Sequence, residues 1–205
     1  MTVHFIGAGP GAVDLLTLRA LDLIAASPVC LYAGTYVPPE MLALCPPGAR
    51  KIDTADLSLS RIVDEMVAAH AAGHDVARLA SGDLSVFSAL AEQMRRLDAA
   101  GVPYDLCPGV PAYAAAAAEL RRELTVPTVA QTVTLTRISA LATPMPDGEG
   151  LAELGRSGGT LVLHLSVHRI EEVVATVSGV YGPECPAAVV AFASREHQVL
   201  SLIHI

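Results

Sequence analysis

Charged side chains are scarce in this chain, and positive ones are the scarcer kind. Charged residues make up 17% of the 205 residues, whereas 52% are hydrophobic. This composition excludes an intrinsically disordered chain and is typical of a well-buried globular protein. The formal net charge is −8. Because non-specific nucleic-acid binding needs a basic face to neutralise phosphates, we exclude nucleic acid as a partner.

Long apolar runs are also missing. The longest, residues 110–118, is about half of the roughly 20 residues that a membrane-spanning helix needs. The chain enters an apolar strand pattern at once, without a basic segment followed by an apolar one. We therefore expect no membrane association, no signal peptide and a cytoplasmic location.

Paired cysteines and clustered metal ligands are lacking as well. His164 and His168 are four residues apart, but the surrounding residues predict a strand, where that spacing does not converge on one ion. We expect no metal site. The cysteines form no CxxC pair, which favours free thiols in a reducing compartment. They are Cys30, Cys45, Cys107 and Cys185.

What is present begins with a glycine-rich turn. Residues 3–6 predict a short strand, residues 7–11 read Gly-Ala-Gly-Pro-Gly, and residues 14–25 predict a helix. Glycine lets a backbone approach a ligand closely, so the turn indicates a nucleotide-type pocket. Pro10 removes one N–H donor, however, and the carboxylate of Asp14 would repel a phosphate. The turn is therefore not typical of a diphosphate site.

Strand, turn and helix alternate through the first half of the chain. This order predicts a mostly parallel sheet whose functional turns lie at the carboxyl ends of the strands. We expect three turns to converge there, at residues 7–11, 80–83 and 107–111. The predicted strands are residues 3–6, 29–32, 51–53, 75–79 and 104–106. The predicted helices are residues 14–25, 38–44, 59–72, 86–100 and 112–120.

The second half changes character. Residues 125–137 are rich in threonine and valine, which favour strands. Residues 159–165 and 187–192 predict further strands, and residues 170–177 a helix. We predict an α/β fold of two domains, residues 1–114 and 115–205, with mostly parallel or mixed sheets.

Three motifs in order resemble the tetrapyrrole methylase family, and the resemblance covers essentially the whole chain. They are the glycine turn with Asp-Leu-Leu-Thr at residues 14–17, Arg-Leu-Ala-Ser-Gly-Asp at residues 78–83, and Pro-Gly-Val-Pro-Ala at residues 108–112. The resemblance implies a cofactor cleft between the two domains, S-adenosylmethionine as cofactor, and a homodimer.

Two further segments resemble one branch of that family. The first comprises residues 32–38, 45–50 and 53–55, and the second is residues 129–137. The branch methylates C11 of precorrin-4, or of its cobalt-bearing counterpart, so the implied partner is a tetrapyrrole.

The chain also departs from the family pattern. Leu84 stands where proline commonly follows Gly-Asp. Family members also continue for several dozen residues, and the residues after Leu200 do not resemble them. We therefore expect a shortened C-terminal domain with a foreign tail.

The resemblance implies a set of cofactor contacts. Asp83 would bind a polar end of the cofactor or cap a helix beginning near Val86, and both roles are compatible. Gly7, Gly9 and Gly11 either contact the cofactor or only form the turn. The implied cofactor-binding residues are Pro10, Ser81, Gly82, Asp83, Val86, Pro111, Ala112, Leu165 and Ala193.

The substrate of such an enzyme carries many carboxylates, which arginine binds as a bidentate fork. We predict Arg50, Arg78 and Arg137 as partners, with Arg78 also a catalytic candidate beside its turn. Asp14 would orient the substrate or assist a proton, or else place a charge at a helix N-terminus. Tyr113 would stack on the tetrapyrrole or pack in the core.

Three other functions compete. A dinucleotide oxidoreductase fits Gly7, Gly9 and Ala12, but it needs a carboxylate at the end of the second strand, where Tyr32 and Gly34 stand. Another methylase of the same fold, acting on RNA or a modified histidine, fits the net charge poorly. The third is a non-catalytic remnant that binds partner proteins.

Overall fold

Contacts along the chain separate it into two units, and the second unit is interrupted. The computed structural model describes residues 1–139 and 144–204. The first unit is Met1–Ala115 together with Phe192–Glu196, and the second is Ala116–Ala191 together with His197–Ile205. The short segment 192–196 therefore belongs to the first unit. The predicted domains, residues 1–114 and 115–205, did not include this return.

The first unit is built on a five-stranded parallel sheet. Its strands, in chain order, are β1 (Val3–Gly7), β2 (Val29–Tyr32), β3 (Arg50–Asp53), β4 (Val76–Ala80) and β5 (Tyr104–Cys107). They pair in the spatial order β3-β2-β4-β1-β5, every pair parallel. The helices are α1 (Leu18–Ala26), α2 (Pro39–Leu42), α3 (Leu59–Ala71), α4 (Ala91–Ala99) and α5 (Ala112–Leu120), the last running across the unit boundary.

Both faces of this sheet are covered by apolar side chains. Alternation along β1 sends Phe5 into one buried cluster, with Leu31 and Leu97, and Ile6 into a second cluster on the other face. The Phe5 ring meets the edge of Tyr104 at 5.8 Å between centroids. Burial on both faces is typical of parallel sheets and holds the strand ends in fixed register.

Two predicted helices begin later than the sequence pattern indicated. The helix expected over residues 14–25 starts at Leu18, because the Thr17 hydroxyl accepts the Ala20 N–H at 3.1 Å and caps it. Residues Val13–Leu15 form a separate 3-10 turn. The helix expected over residues 86–100 starts at Ala91, since Phe87 and Ala89 have φ values of 50° and 53° that a right-handed helix does not allow.

The second unit contains two small sheets. The strands β6 (Val133–Arg137) and β7 (Thr160–His164) pair in parallel, while β8 (Pro186–Ala191) and β9 (Val199–His204) pair antiparallel. The helices are α6 (Leu151–Gly155) and α7 (Ile170–Tyr181). The second unit has a small buried cluster, which consists of Ile138, Leu151, Val173 and Val177.

The sequence patterns described this unit less completely. Only residues 133–137 of the threonine- and valine-rich stretch 125–137 form a strand, and α6 and β9 were not predicted. No helix within residues 1–139 and 144–204 is long and apolar enough to cross a membrane.

Candidate functional site

The turns after β1, β4 and β5 meet at the carboxyl edge of the first unit's sheet. Gly9 and Gly82 exchange two backbone hydrogen bonds, Gly9 N–H to the Gly82 carbonyl at 3.0 Å and the reverse at 2.8 Å. The turn after β5 joins them where the Gly109 N–H donates to Asp83 Oδ2 at 2.9 Å. The predicted convergence of three turns is therefore present in the structure.

Glycine is required at the centre of this junction because backbones touch there. A Cβ placed on Gly109 would lie 2.4 Å from the Gly82 carbonyl oxygen and 2.5 Å from that of Gly7. A Cβ on Gly7 would lie 2.5 Å from the Gly109 nitrogen. Real Cβ atoms do not approach backbone so closely, so Gly7 and Gly109 have a structural role whether or not they contact a ligand.

Asp83 ties two of these turns together. Its Oδ1 accepts from the Ser85 N–H at 2.9 Å and from the Ser85 hydroxyl, while its Oδ2 accepts from Gly109. Partial burial raises the pKa of the carboxyl, but the hydrogen bonds from Ser85, Gly109 and Leu84 outweigh it and lower the pKa below its usual value. Asp83 does not cap a helix near Val86, because α4 begins at Ala91.

The other predicted cofactor residues of the first unit lie on or beside these turns. Pro10 is half-buried, Ser81 is exposed, and Gly82 is buried with a φ of 68°. A Cβ on Gly82 would lie 3.6 Å from Ala112 N and 3.8 Å from Pro111 Cα. The structure therefore brings this group together, although the contact of each with cofactor stays a prediction.

Ala193 belongs to the first unit although the chain on either side of segment 192–196 belongs to the second, which the sequence did not predict. It lies in segment 192–196, between two residues with positive φ, Phe192 at 54° and Ser194 at 68°. The Ser194 hydroxyl accepts the Ala12 N–H at 3.3 Å, which attaches the segment to the glycine turn. No local sequence pattern marks this return, because it depends on long-range packing.

Two predicted residues belong to the second unit, at the carboxyl ends of its parallel strands. Arg137 ends β6, and its Nη1 donates to the Ile138 carbonyl at 3.0 Å. Leu165 follows β7 with a φ of 54° and is 62% exposed. An exposed leucine in a strained conformation is typical of a functional position, but its contact with cofactor stays a prediction.

Arg78, which the sequence predicts as a substrate contact and catalytic candidate, is buried. It lies in β4 between Phe5 and Leu31, is 8% exposed, and its Nε donates to Gln93 Oε1 at 3.1 Å. Its Nη1 donates to the Leu79 carbonyl at 3.0 Å, and burial lowers its pKa to about 10. The sequence placed it correctly beside the turn but not the direction of its side chain, and a buried guanidinium with these partners does not fit a substrate contact.

Arg50 lies at the wrong edge of the sheet for the predicted role. It begins β3, in register with Val29 at the start of β2, so it stands at the amino end of the strands. Its Nη2 pairs with Glu65 Oε2 at 2.6 Å. We therefore do not retain Arg50 as a substrate ligand.

The structure gives the positions of the remaining predicted residues, and their roles stay predictions. Asp14 is exposed on the 3-10 turn and so cannot serve as a first-turn charge of α1. Tyr113 is half-buried in the first turn of α5, beside the third turn. The Thr17 hydroxyl lies 3.6 Å from Cys107 Sγ and connects the start of α1 to the end of β5, a contact the sequence did not predict.

One family model matches nearly the full length of the chain. The family model for tetrapyrrole (corrin/porphyrin) methylases matches residues 2–202. A precorrin-4 C(11)-methyltransferase of Rhodococcus erythropolis is 63% identical, with 98% of this chain and 80% of that relative covered.

Solved structures agree in fold. A cobalt precorrin-4 methyltransferase has a TM-score of 0.94 at 34% identity, with 99% of this chain and 85% of that one covered. The uroporphyrin-III C-methyl transferase from Thermus thermophilus in complex with S-adenosyl homocysteine has a TM-score of 0.81 at 27% identity, with 100% and 83% covered. These likenesses confirm the predicted α/β fold.

Proposed function

The chain belongs to the tetrapyrrole (corrin/porphyrin) methylases, and from this premise we infer that it transfers a methyl group from S-adenosylmethionine to C11 of precorrin-4. The observation that carries this conclusion is the 63% identity, over 98% of the chain, to a relative that bears that activity in its name. The reaction is one step of corrin, and hence cobalamin, biosynthesis.

The junction of three turns suits the cofactor. Gly7 and Gly109 let the backbones of the turns touch one another at one edge of a rigid sheet, which fixes the Gly82 backbone beside Pro111 and Ala112. Pro10 lacks an N–H, and Asp83 is held as an anion, so this edge favours a cationic sulfonium ligand over a diphosphate. When bound, S-adenosylmethionine supplies a methyl group already activated by its positive sulfur.

The chemistry asks for positioning more than for acid or base groups. The reacting carbon, methyl carbon and sulfur must lie in line, and such positioning can contribute roughly 7–11 kcal/mol to lowering the barrier. Ser81, Gly82, Pro111 and Ala112 form the wall that would orient the cofactor. The Asp83 carboxylate acts by bracing two turns against each other, which keeps that wall in place during the reaction.

The metal-free substrate is favoured over the cobalt-bearing one. The identity to the Rhodococcus relative named for precorrin-4 is 63%, against 34% for the structure named for the cobalt form. Arg137 and Tyr113 remain our candidates for contacting the tetrapyrrole. The homodimer and the cytoplasmic location stay predictions of the sequence.

The direct test supplies S-adenosylmethionine labelled with ¹³C in its methyl group, together with precorrin-4 or cobalt-precorrin-4. We expect one new labelled methyl, assigned by NMR to C11, formed faster on the metal-free ring. The Gly109→Ala variant is the matched control and should transfer little label. A label at another carbon, or none with either ring, would contradict the proposal.

A further inference from the structure

The cationic side chain of Arg195 lies on the glycine turn, a contact that the sequence did not predict. Segment 192–196 reaches the turn through Ser194, and the next residue, Arg195, donates from Nη2 to the Tyr36 carbonyl. The Arg195 guanidinium carbon also lies 5.9 Å from the Phe192 ring centre. Two strained backbone positions, Phe192 and Ser194, hold the segment in this conformation.

Contact between Arg195 and the turn depends on the absence of a side chain at Gly11. A Cβ on Gly11 would lie 2.2 Å from Arg195 Nε and 2.9 Å from its Cγ and Cζ. The φ of Gly11 is 143°, which also disfavours other residues. The third glycine of the turn therefore makes room for a guanidinium.

One donor of that guanidinium is not used by the protein. Arg195 Nε is buried and has no hydrogen-bond partner within the part of the chain that the structure describes. A buried donor without an acceptor costs about 1–3 kcal/mol, and more when it is charged. None of the ion pairs among the described residues includes Arg195.

An anchoring role explains only part of this arrangement. A neutral donor such as glutamine would hold the Tyr36 carbonyl without burying a charge. The Arg195 side chain is only half-buried, and the preferred partner of a guanidinium is a carboxylate. Both reactants of the proposed function carry carboxylates, the tetrapyrrole on its side chains and the cofactor on its methionine part.

We propose that the half-buried guanidinium of Arg195, whose charge no ion pair among the described residues offsets, binds a carboxylate of one of these two reactants. The assignment rests on the proposed function for the identity of the ligands. It makes Arg195, rather than Arg50 or Arg78, the arginine of the first unit that faces ligand.

The test measures binding without turnover. Calorimetry gives the Kd of S-adenosyl homocysteine, and absorbance titration gives the Kd of precorrin-4 in its presence, where no methyl can move. The variants are Arg195→Gln and Arg195→Lys. The matched control is Arg61→Gln, an exposed arginine of the same unit that pairs with Glu65. Circular dichroism and Tm report the fold of each variant.

We expect Arg195→Gln to weaken one ligand by about tenfold or more and the other by less than about twofold, as the loss of a charged hydrogen bond implies. Arg195→Lys should fall between, since it keeps the charge but not the fork. Loss confined to precorrin-4 identifies a tetrapyrrole carboxylate, and loss confined to S-adenosyl homocysteine identifies the cofactor's.

Two results overturn the assignment. One is unchanged affinity for both ligands in Arg195→Gln. The other is equal weakening of both with a lowered Tm, which is what a purely structural anchor would give. Wild-type protein that binds neither ligand would instead refute the proposed function, and the assignment with it.

Discussion

The two units bury their apolar residues to very different extents. The first covers both faces of a five-stranded sheet, and Phe5, Ile6, Leu31 and Leu97 have no exposed surface. The described residues of the second form one small cluster, to which β8 and β9 contribute no side chain, and Leu202 on β9 is 73% exposed. A sheet packed on both faces fixes the ends of its strands, so the first unit is the better scaffold for a site made of backbone turns.

The largest test of this difference removes the same side chain from both cores. Leu31→Ala, at a fully buried position, should lower the free energy of unfolding by about 4 kcal/mol, and Leu151→Ala, in the small cluster, by about 2 kcal/mol. Urea denaturation followed by circular dichroism measures both. Equal losses would mean that the second core is packed as tightly as the first.

Replacing glycine by alanine in each unit tests how tightly the backbone packs at the turn junction. In Gly109→Ala the new Cβ would clash with the backbone of Gly7 and Gly82, so we expect a loss of about 2–3 kcal/mol and of S-adenosyl homocysteine binding. The control in the second unit is Gly179→Ala, in α7, where a Cβ meets open space. There a helical alanine should add about 0.5–1 kcal/mol. A Gly109→Ala protein of normal stability and affinity would contradict the close junction.

The Asp83 brace predicts a pH dependence. Its folded-state pKa is lowered, so its stabilisation is complete above the unfolded value of about 3.9 and is lost as the pH falls through the folded value. Asp83→Asn should therefore cost about 1–2 kcal/mol at pH 7, and the difference from wild type should shrink below about pH 4. Unfolding at pH 7 and pH 3 measures it. Asp56→Asn, an exposed control, should show neither effect, and a difference constant with pH would argue against an ionised brace.

The smallest effect is expected at the amino edge of the sheet. Arg50→Gln breaks only an exposed ion pair with Glu65, worth less than about 1 kcal/mol. The KM for the tetrapyrrole should stay unchanged because Arg50 lies at the edge opposite the turns. A rise in KM would restore Arg50 as a substrate ligand.

Local sequence patterns predicted the parts of the molecule that local forces determine. The strands of the first sheet follow from short apolar runs, and the meeting of three turns follows from the glycines at or just after the ends of β1, β4 and β5. Two helix starts were wrong: the Thr17 cap begins α1 at Leu18, and the positive φ values of Phe87 and Ala89 delay α4 to Ala91. The resemblance to a family, not periodicity, supplied the cofactor and the reaction.

The sequence alone did not show which side chains of the sheet are buried or which distant segments of the chain pack together. Both faces of the first sheet are covered, so a residue of its central strand β4 is buried on either face, which is why Arg78, predicted as a substrate contact, lies inside. Arg195 joins the glycine turn across more than 180 residues of chain, and only the folded structure brings Ser194 to Ala12. The strand β9 likewise depends on its partner β8 rather than on its own pattern.

We infer that the turn junction of the first unit holds S-adenosylmethionine rather than a dinucleotide. Calorimetric titration with S-adenosyl homocysteine, with NADH as the parallel ligand, tests it most directly. We expect saturable binding of S-adenosyl homocysteine that Gly109→Ala abolishes, and no binding of NADH. Binding of NADH alone would contradict the account.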